Sequence, residues 1–65
     1  MIAEAIAKYM AEHHIKQAVL CRRTGLSRRS VSLALRGMRK ISVEEYAQIC
    51  DALNISYDYF FRFRS

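Results

Sequence analysis

The sequence has no proline and only two glycines, Gly25 and Gly37. A small β-sandwich or barrel needs frequent turn residues and alternating apolar and polar positions. Neither is present, so the class expected is all-α. Cysteine is nearly as scarce, and the two that occur, Cys21 and Cys50, make no disulfide framework. Both fall on apolar positions of predicted helices, where a free thiol acts as a small hydrophobe. Together with His13 and His14 they lack the C-x-x-C or H-x-x-x-H spacing of zinc sites, so neither a metal nor a cofactor is expected. Long apolar runs are missing too. The opening MIAEAIAKYMAEHH is interrupted by Glu4 and Lys8 and is too short for a signal peptide or a membrane span. A cytoplasmic location without membrane contact follows. No nucleophile–base pair, carboxylate dyad or phosphate-cradling glycine loop occurs, and 65 residues leave no room for a large pocket. Neither an enzyme nor a small-molecule ligand is expected.

The most telling absence is of negative charge. All six acids (Glu4, Glu12, Glu44, Glu45, Asp51 and Asp58) lie outside residues 13–43. That window holds eight cations: Lys16, Arg22, Arg23, Arg28, Arg29, Arg36, Arg39 and Lys40. Over the whole chain eleven Lys and Arg against six Asp and Glu give a formal charge of +5. A basic stretch without interspersed acids attracts polyanions. It also contains no Phe, Tyr or Trp, the surface aromatics on which single-stranded nucleic acid stacks. A double-stranded polyanion is the better match.

Hydrophobic spacing predicts the helices. Ile2, Ala5, Ile6, Tyr9 and Met10 recur at i, i+3, i+4, i+7 and i+8, one face of a first helix over residues 2–13. Ile15 tucks the connection onto the core. A second helix runs from Gln17 to Arg23 with Leu20 and Cys21 inward, closed by Thr24 and by Gly25 at a left-handed C′ position. Ser27 caps a third helix whose stripe is Val31, Ala34 and Leu35 and which Gly37 stops. Ser42-Val43-Glu44-Glu45 reads as a capping box opening a fourth helix, which continues through Tyr46, Ile49 and Cys50 to Leu53 and stops at Asn54. Ser56 then caps a last short helix, YDYFFRF. Without linkers or repeats, residues 1–65 form a single domain of four or five helices.

The second and third helices are separated by only a few residues around Gly25. Helices so joined cross steeply and share a core through Leu20, Leu26 and Val31, which is the helix-turn-helix. The outer face of the third helix then projects as a ridge about the width of a DNA major groove.

Residues 15–61 resemble the lambda-repressor-like (Cro-type) helix-turn-helix family. The resemblance is carried by Gln17, Leu20, a small residue at Cys21, Gly25, Leu26-Ser27-Arg28, Val31-Ser32, Arg36-Gly37 and Ala52-Leu53-Asn54-Ile55-Ser56 leading to Phe60-Phe61. Ile2 to Met10 match the family's first helix more loosely. The family often has alanine where Cys21 stands and a capping Ser or Thr where Lys16 stands. Leu35 replaces a glutamate that in some members pairs with an arginine of the first helix, and Met10 occupies the corresponding position here. An apolar Met10–Leu35 contact replaces such a buried pair at little or no loss.

The resemblance implies a DNA-binding transcriptional regulator, of repressor type, that inserts helix 27–36 into the major groove of double-stranded DNA. Arg28 and Arg29 then stand where the groove is entered. The helix dipole repels each by about 0.3–1 kcal/mol, whereas a bidentate arginine–guanine pair discriminates by about 1–3 kcal/mol. Ser32 and Leu33 complete the base-contacting set, Leu33 on a thymine methyl. Gln17, Ser27, Ser30, Arg36, Arg39 and Lys40 are expected to grip phosphates, while Arg22 and Arg23 add only to the field. A domain this small reads few base pairs, so a homodimer on DNA is expected, with Tyr57, Tyr59, Phe61 and Phe63 as interface candidates. The alternative is a protein-interaction module, such as an antitoxin or adaptor, on the same fold.

Overall fold

A computed structural model describes residues 2–61. Four α-helices follow in order, α1 (Ile2–Glu12), α2 (Gln17–Thr24), α3 (Arg28–Leu35) and α4 (Val43–Leu53), and then a single 3-10 turn over Tyr59–Phe61. No strand occurs among the described residues.

Each α-helix is held by the stripe its spacing predicts. Ile6 and Met10 of α1, Leu20 of α2, Val31 and Leu35 of α3, and Ile49, Ala52 and Leu53 of α4 converge in one cluster. Full burial of a side chain of this size contributes about 1.5–3 kcal/mol. No buried polar or charged side chain interrupts the cluster among the described residues. Met10 and Leu35 both lie in it, and Ala34, next to Leu35 along α3, is buried too. α2 packs on α3 and α4, α1 packs on α3, and the 3-10 turn rests on α1.

The helix ends obey local chemistry. At the end of α1 the His13 N–H donates to Tyr9 and the Ile15 N–H to Met10, with His14 in the left-handed region at φ 56°. Ile15 is thereby drawn onto the core. Lys16, the N-cap of α2, makes no side-chain cap bond, as its lack of a short hydroxyl predicts. α4 opens with the expected box: the Glu45 N–H donates to Ser42 Oγ at 3.1 Å, and the Ser42 N–H donates to Glu45 Oε1 at 3.0 Å. Asn54 ends α4 at φ 58°.

Of the last predicted helix, only the 3-10 turn over Tyr59–Phe61 forms among the described residues. Ser56 Oγ donates to Asp58 at 2.6 Å instead of capping a helix. The aromatics decide this. Tyr59 and Phe60 meet Tyr9 edge-on, Phe60 and Phe61 meet Tyr46, and the Tyr46 hydroxyl donates to the Tyr57 carbonyl. An edge-to-face pair is worth about 0.5–1.5 kcal/mol beyond its buried area, so the segment follows its rings rather than a helical ladder. Burial pushes the Tyr46 phenol up to about 12 and the Cys50 thiol above its ordinary value. Cys50 is therefore a packing residue, as its apolar position predicts.

Candidate nucleic-acid interface

The turn between α2 and α3 comprises Gly25, Leu26 and Ser27. Gly25 takes φ 79° and donates its N–H to the Cys21 carbonyl at 2.8 Å, a left-handed closure that suits a residue without Cβ. Thr24 adds a bond on each side. Its hydroxyl donates to the Leu20 carbonyl at 2.8 Å and accepts from the Leu26 N–H at 3.2 Å. Leu26 packs against the core cluster, which fixes the turn to the body of the protein. Ser27 then accepts from the Ser30 N–H at 3.1 Å and opens α3.

The faces of α3 follow from about 100° of rotation per residue. Val31, Ala34 and Leu35 point inward and are buried. Arg28, Arg29, Ser32, Leu33 and Arg36 share the opposite arc. Arg28, Arg29 and Arg36 are exposed, whereas Ser32 and Leu33 are half-buried on its flank. Among the described residues, the Arg28 and Arg29 side chains make no hydrogen bond or ion pair. Arg36, the C-cap of α3, is likewise exposed at the far end of the ridge, and so is Lys40 beyond Gly37 at φ 72°. Gln17 is the first residue of α2 and half-buried. Its helix end has no side-chain cap, so first-turn N–H groups remain available to an anion.

Two arginines have different employment. Arg39, expected on a phosphate, is turned inward. Its Nε donates to the Ser30 carbonyl at 3.1 Å, one terminal nitrogen to Ser30 Oγ at 2.6 Å, and the other to Glu45 Oε1 at 2.9 Å and to the Lys40 carbonyl at 3.0 Å. Ser30 is consequently committed to Arg39, and Arg39 ties α3 to the capping box of α4. The guanidinium, with the Ser42 N–H, holds the Glu45 carboxyl below its ordinary value of 4.5. Arg23, expected only to add to the field, donates from α2 to the Ala52 carbonyl of α4 at 2.9 Å. That bond satisfies one of the carbonyls a helix end leaves without a partner. Arg22 is exposed, as expected.

The aromatic candidates separate in the same manner. Tyr57 and Phe61 are 55% and 44% exposed. Tyr59 is half-buried and stacked edge-on with Tyr9 and Phe60, which leaves it little surface to offer. Phe63 lies outside the described residues. Sequence reading overlooked Met38, which stands 63% exposed just past the end of α3. No cluster of three or more His, Cys, Asp or Glu side chains that could hold a metal occurs among the described residues. No described helix is long and apolar enough to cross a membrane.

A Cro/C1-type HTH DNA-binding domain is the family whose model matches this chain, over residues 5–61. The chain belongs to that family. The match begins within α1 and runs to the end of the 3-10 turn, so it takes in most of α1, the other helices and the whole α2–α3 unit. No curated protein and no solved structure matches the chain. Cro/C1-type domains bind DNA, typically without catalysing a reaction, and that supports a DNA-binding regulator here.

Proposed function

We propose that the protein is a sequence-specific regulator of transcription, of repressor type, acting in the cytoplasm as one domain that lays α3 in the major groove of double-stranded DNA. The observation that carries this reading is the contrast within the basic window. Arg28 and Arg29 are exposed and their side chains unengaged at the N-terminal end of α3, while Arg39, half-buried, and Arg23, although exposed, are hydrogen-bonded to other helices. A guanidinium kept free at a site where the helix dipole opposes it is accounted for by an anionic or acceptor-rich partner.

In this reading Arg28 and Arg29 take guanine O6 and N7, and Ser32 and Leu33 touch neighbouring base edges. Gln17, Ser27, Arg36 and Lys40 hold the backbone on either side. Arg39 and Ser30 set the tilt of α3 from within rather than gripping a phosphate. Two protomers bind half-sites about one helical turn apart, with the exposed Tyr57 and Phe61 surface as the contact between them.

Selection of bound duplexes from a random pool tests the whole reading. The expected outcome is a recovered motif with guanines, in two half-sites, and binding whose logarithm falls with log salt at a slope of about −4 to −8 for a dimer. A pool that stays random overturns sequence specificity. Should Arg28→Glu with Arg29→Glu leave the principal biological interaction intact, the interaction-module alternative takes its place.

A further inference from the structure

The start of α1, the α3–α4 loop and the start of α4 enclose an open groove of about 800 Å³. Its floor is apolar and half-buried: Ile2, Ile41 and Tyr46. Its lips are apolar and exposed, with Met38 at 63%, Val43 at 86% and Phe61 at 44%.

Two of these lips do no structural work. Met38 holds the loop through its backbone N–H, which donates to the Leu33 carbonyl at 2.9 Å, and its side chain projects outward. Val43 is the first residue of α4, whose capping box is made entirely by Ser42 and Glu45. An acidic or polar residue at that position would suit the helix dipole better than valine. Two such side chains beside one apolar groove make a contiguous patch, the pattern that marks an interaction surface.

The rim is basic. Arg36 and Lys40 are exposed, and Arg39 is neutralised by Glu45, so the free cations face a single acid, Glu4. Off DNA, a second copy of this chain is the poorer occupant, because it brings a net charge of +5 to a rim that is already basic. A small molecule is poorly served as well, since lips this exposed cannot enclose it. No strand edge occurs among the described residues to pair with an extended peptide, so the visitor's backbone must satisfy its own hydrogen bonds. We propose that this groove docks an amphipathic helix of a partner protein, its apolar face between Met38 and Val43 and its acidic flanks on Arg36 and Lys40.

The groove shares Arg36 and Lys40 with the duplex reading and Phe61 with its dimer contact, so helix and duplex compete for this rim. The test contains no DNA, and its failure leaves the duplex reading standing. The probe is a fluorescein-labelled synthetic helical peptide with leucines on one face and glutamates on the other, titrated with the full chain and followed by anisotropy. Saturable binding that weakens with added salt is expected. The same peptide with lysine for glutamate, or serine for leucine, should not bind. Met38→Glu with Val43→Glu should weaken binding by at least about tenfold, as expected for a central apolar anchor, and Lys40→Glu should weaken it less while flattening the salt dependence. All three positions are exposed, and circular dichroism checks that each variant folds. The Met38 methyl resonance of the unaltered protein gives a second readout and should shift on titration. Equal binding of the serine peptide, or a loss confined to Arg28→Glu with Arg29→Glu, overturns the proposal. So does self-association that Met38→Glu abolishes, or a Met38 methyl shift on deleting residues 62–65 that matches the peptide's.

Discussion

Residue type, length and charge do not separate Arg28 and Arg29 from Arg23 and Arg39. All four lie in the same acid-free window. In the fold they divide into two kinds. Arg23 and Arg39 end on carbonyls and a carboxylate of α4 and α3, at 2.9 Å from Ala52 and Glu45. Arg28 and Arg29 end in solvent. Net charge therefore overstates the cationic surface on offer, and position on the helix decides which guanidinium is spent on cohesion and which is left for a partner.

The sharpest way to test that division is to remove the free pair. Arg28→Ala with Arg29→Ala should lower affinity for a selected duplex by about 2–6 kcal/mol, if each guanidinium makes one bidentate contact. Folding stability, followed by urea denaturation, should hold steady or rise slightly, because a dipole repulsion of about 0.3–1 kcal/mol per residue is relieved. Unchanged affinity would mean that these two residues are ordinary solvated charges.

Arg39→Ala should behave oppositely. Loss of hydrogen bonds to a charged group costs about 1.5–3 kcal/mol each in protected sites and less at this half-exposed one, so a drop of about 1–2 kcal/mol in urea denaturation is expected. Duplex affinity should fall as α3 loses its brace, while the slope of binding against log salt stays the same, since no phosphate contact is lost. A reduced slope would place Arg39 on the DNA after all. Arg23→Ala removes one bond to a helix-end carbonyl and should cost about 0.5–1.5 kcal/mol of stability, with only a slight effect on binding.

The smallest effect belongs to Glu45. Its carboxyl titrates lower in the folded chain than in the unfolded one, held down chiefly by Arg39. Its contribution to stability is thus present above the unfolded value and disappears as pH falls through the folded one. Glu45→Gln should flatten that part of the acid-denaturation profile. Arg39→Ala should flatten it as well, and an unaltered profile in both variants would dissolve the link between the two residues.

Most of the framework was legible because it rests on local rules. Ser27, the Ser42–Glu45 box, Gly25 and Asn54 stand within a turn of the groups they serve, and the buried stripes follow helical spacing. The free ends of Arg28 and Arg29 were legible from the opposite face of the same helix. Arg23 and Arg39 were not. Their acceptors are backbone carbonyls 29 and 9 residues away, and every residue carries a carbonyl. Arg39 did leave one trace, an acid at the N3 position of the next helix, which a cation six residues earlier can reach. The shortened last helix failed for a related reason: spacing registers the rings of Tyr59 and Phe60 but not that Tyr9 lies opposite them.

Eight residues is fewer than the roughly 12–15 that a lone helix needs to persist in water, and α3 begins with two charges of the unfavourable sign. It endures only while the rest of the molecule holds it. If α3 reads DNA as proposed, warming towards the melting point removes that surface along with the folded population, and apparent duplex affinity shrinks by that fraction. A saturating operator pulls the other way and raises the melting point by mass action. Under the proposed function, temperature thus joins salt and operator concentration in setting how much of the protein stays on its site.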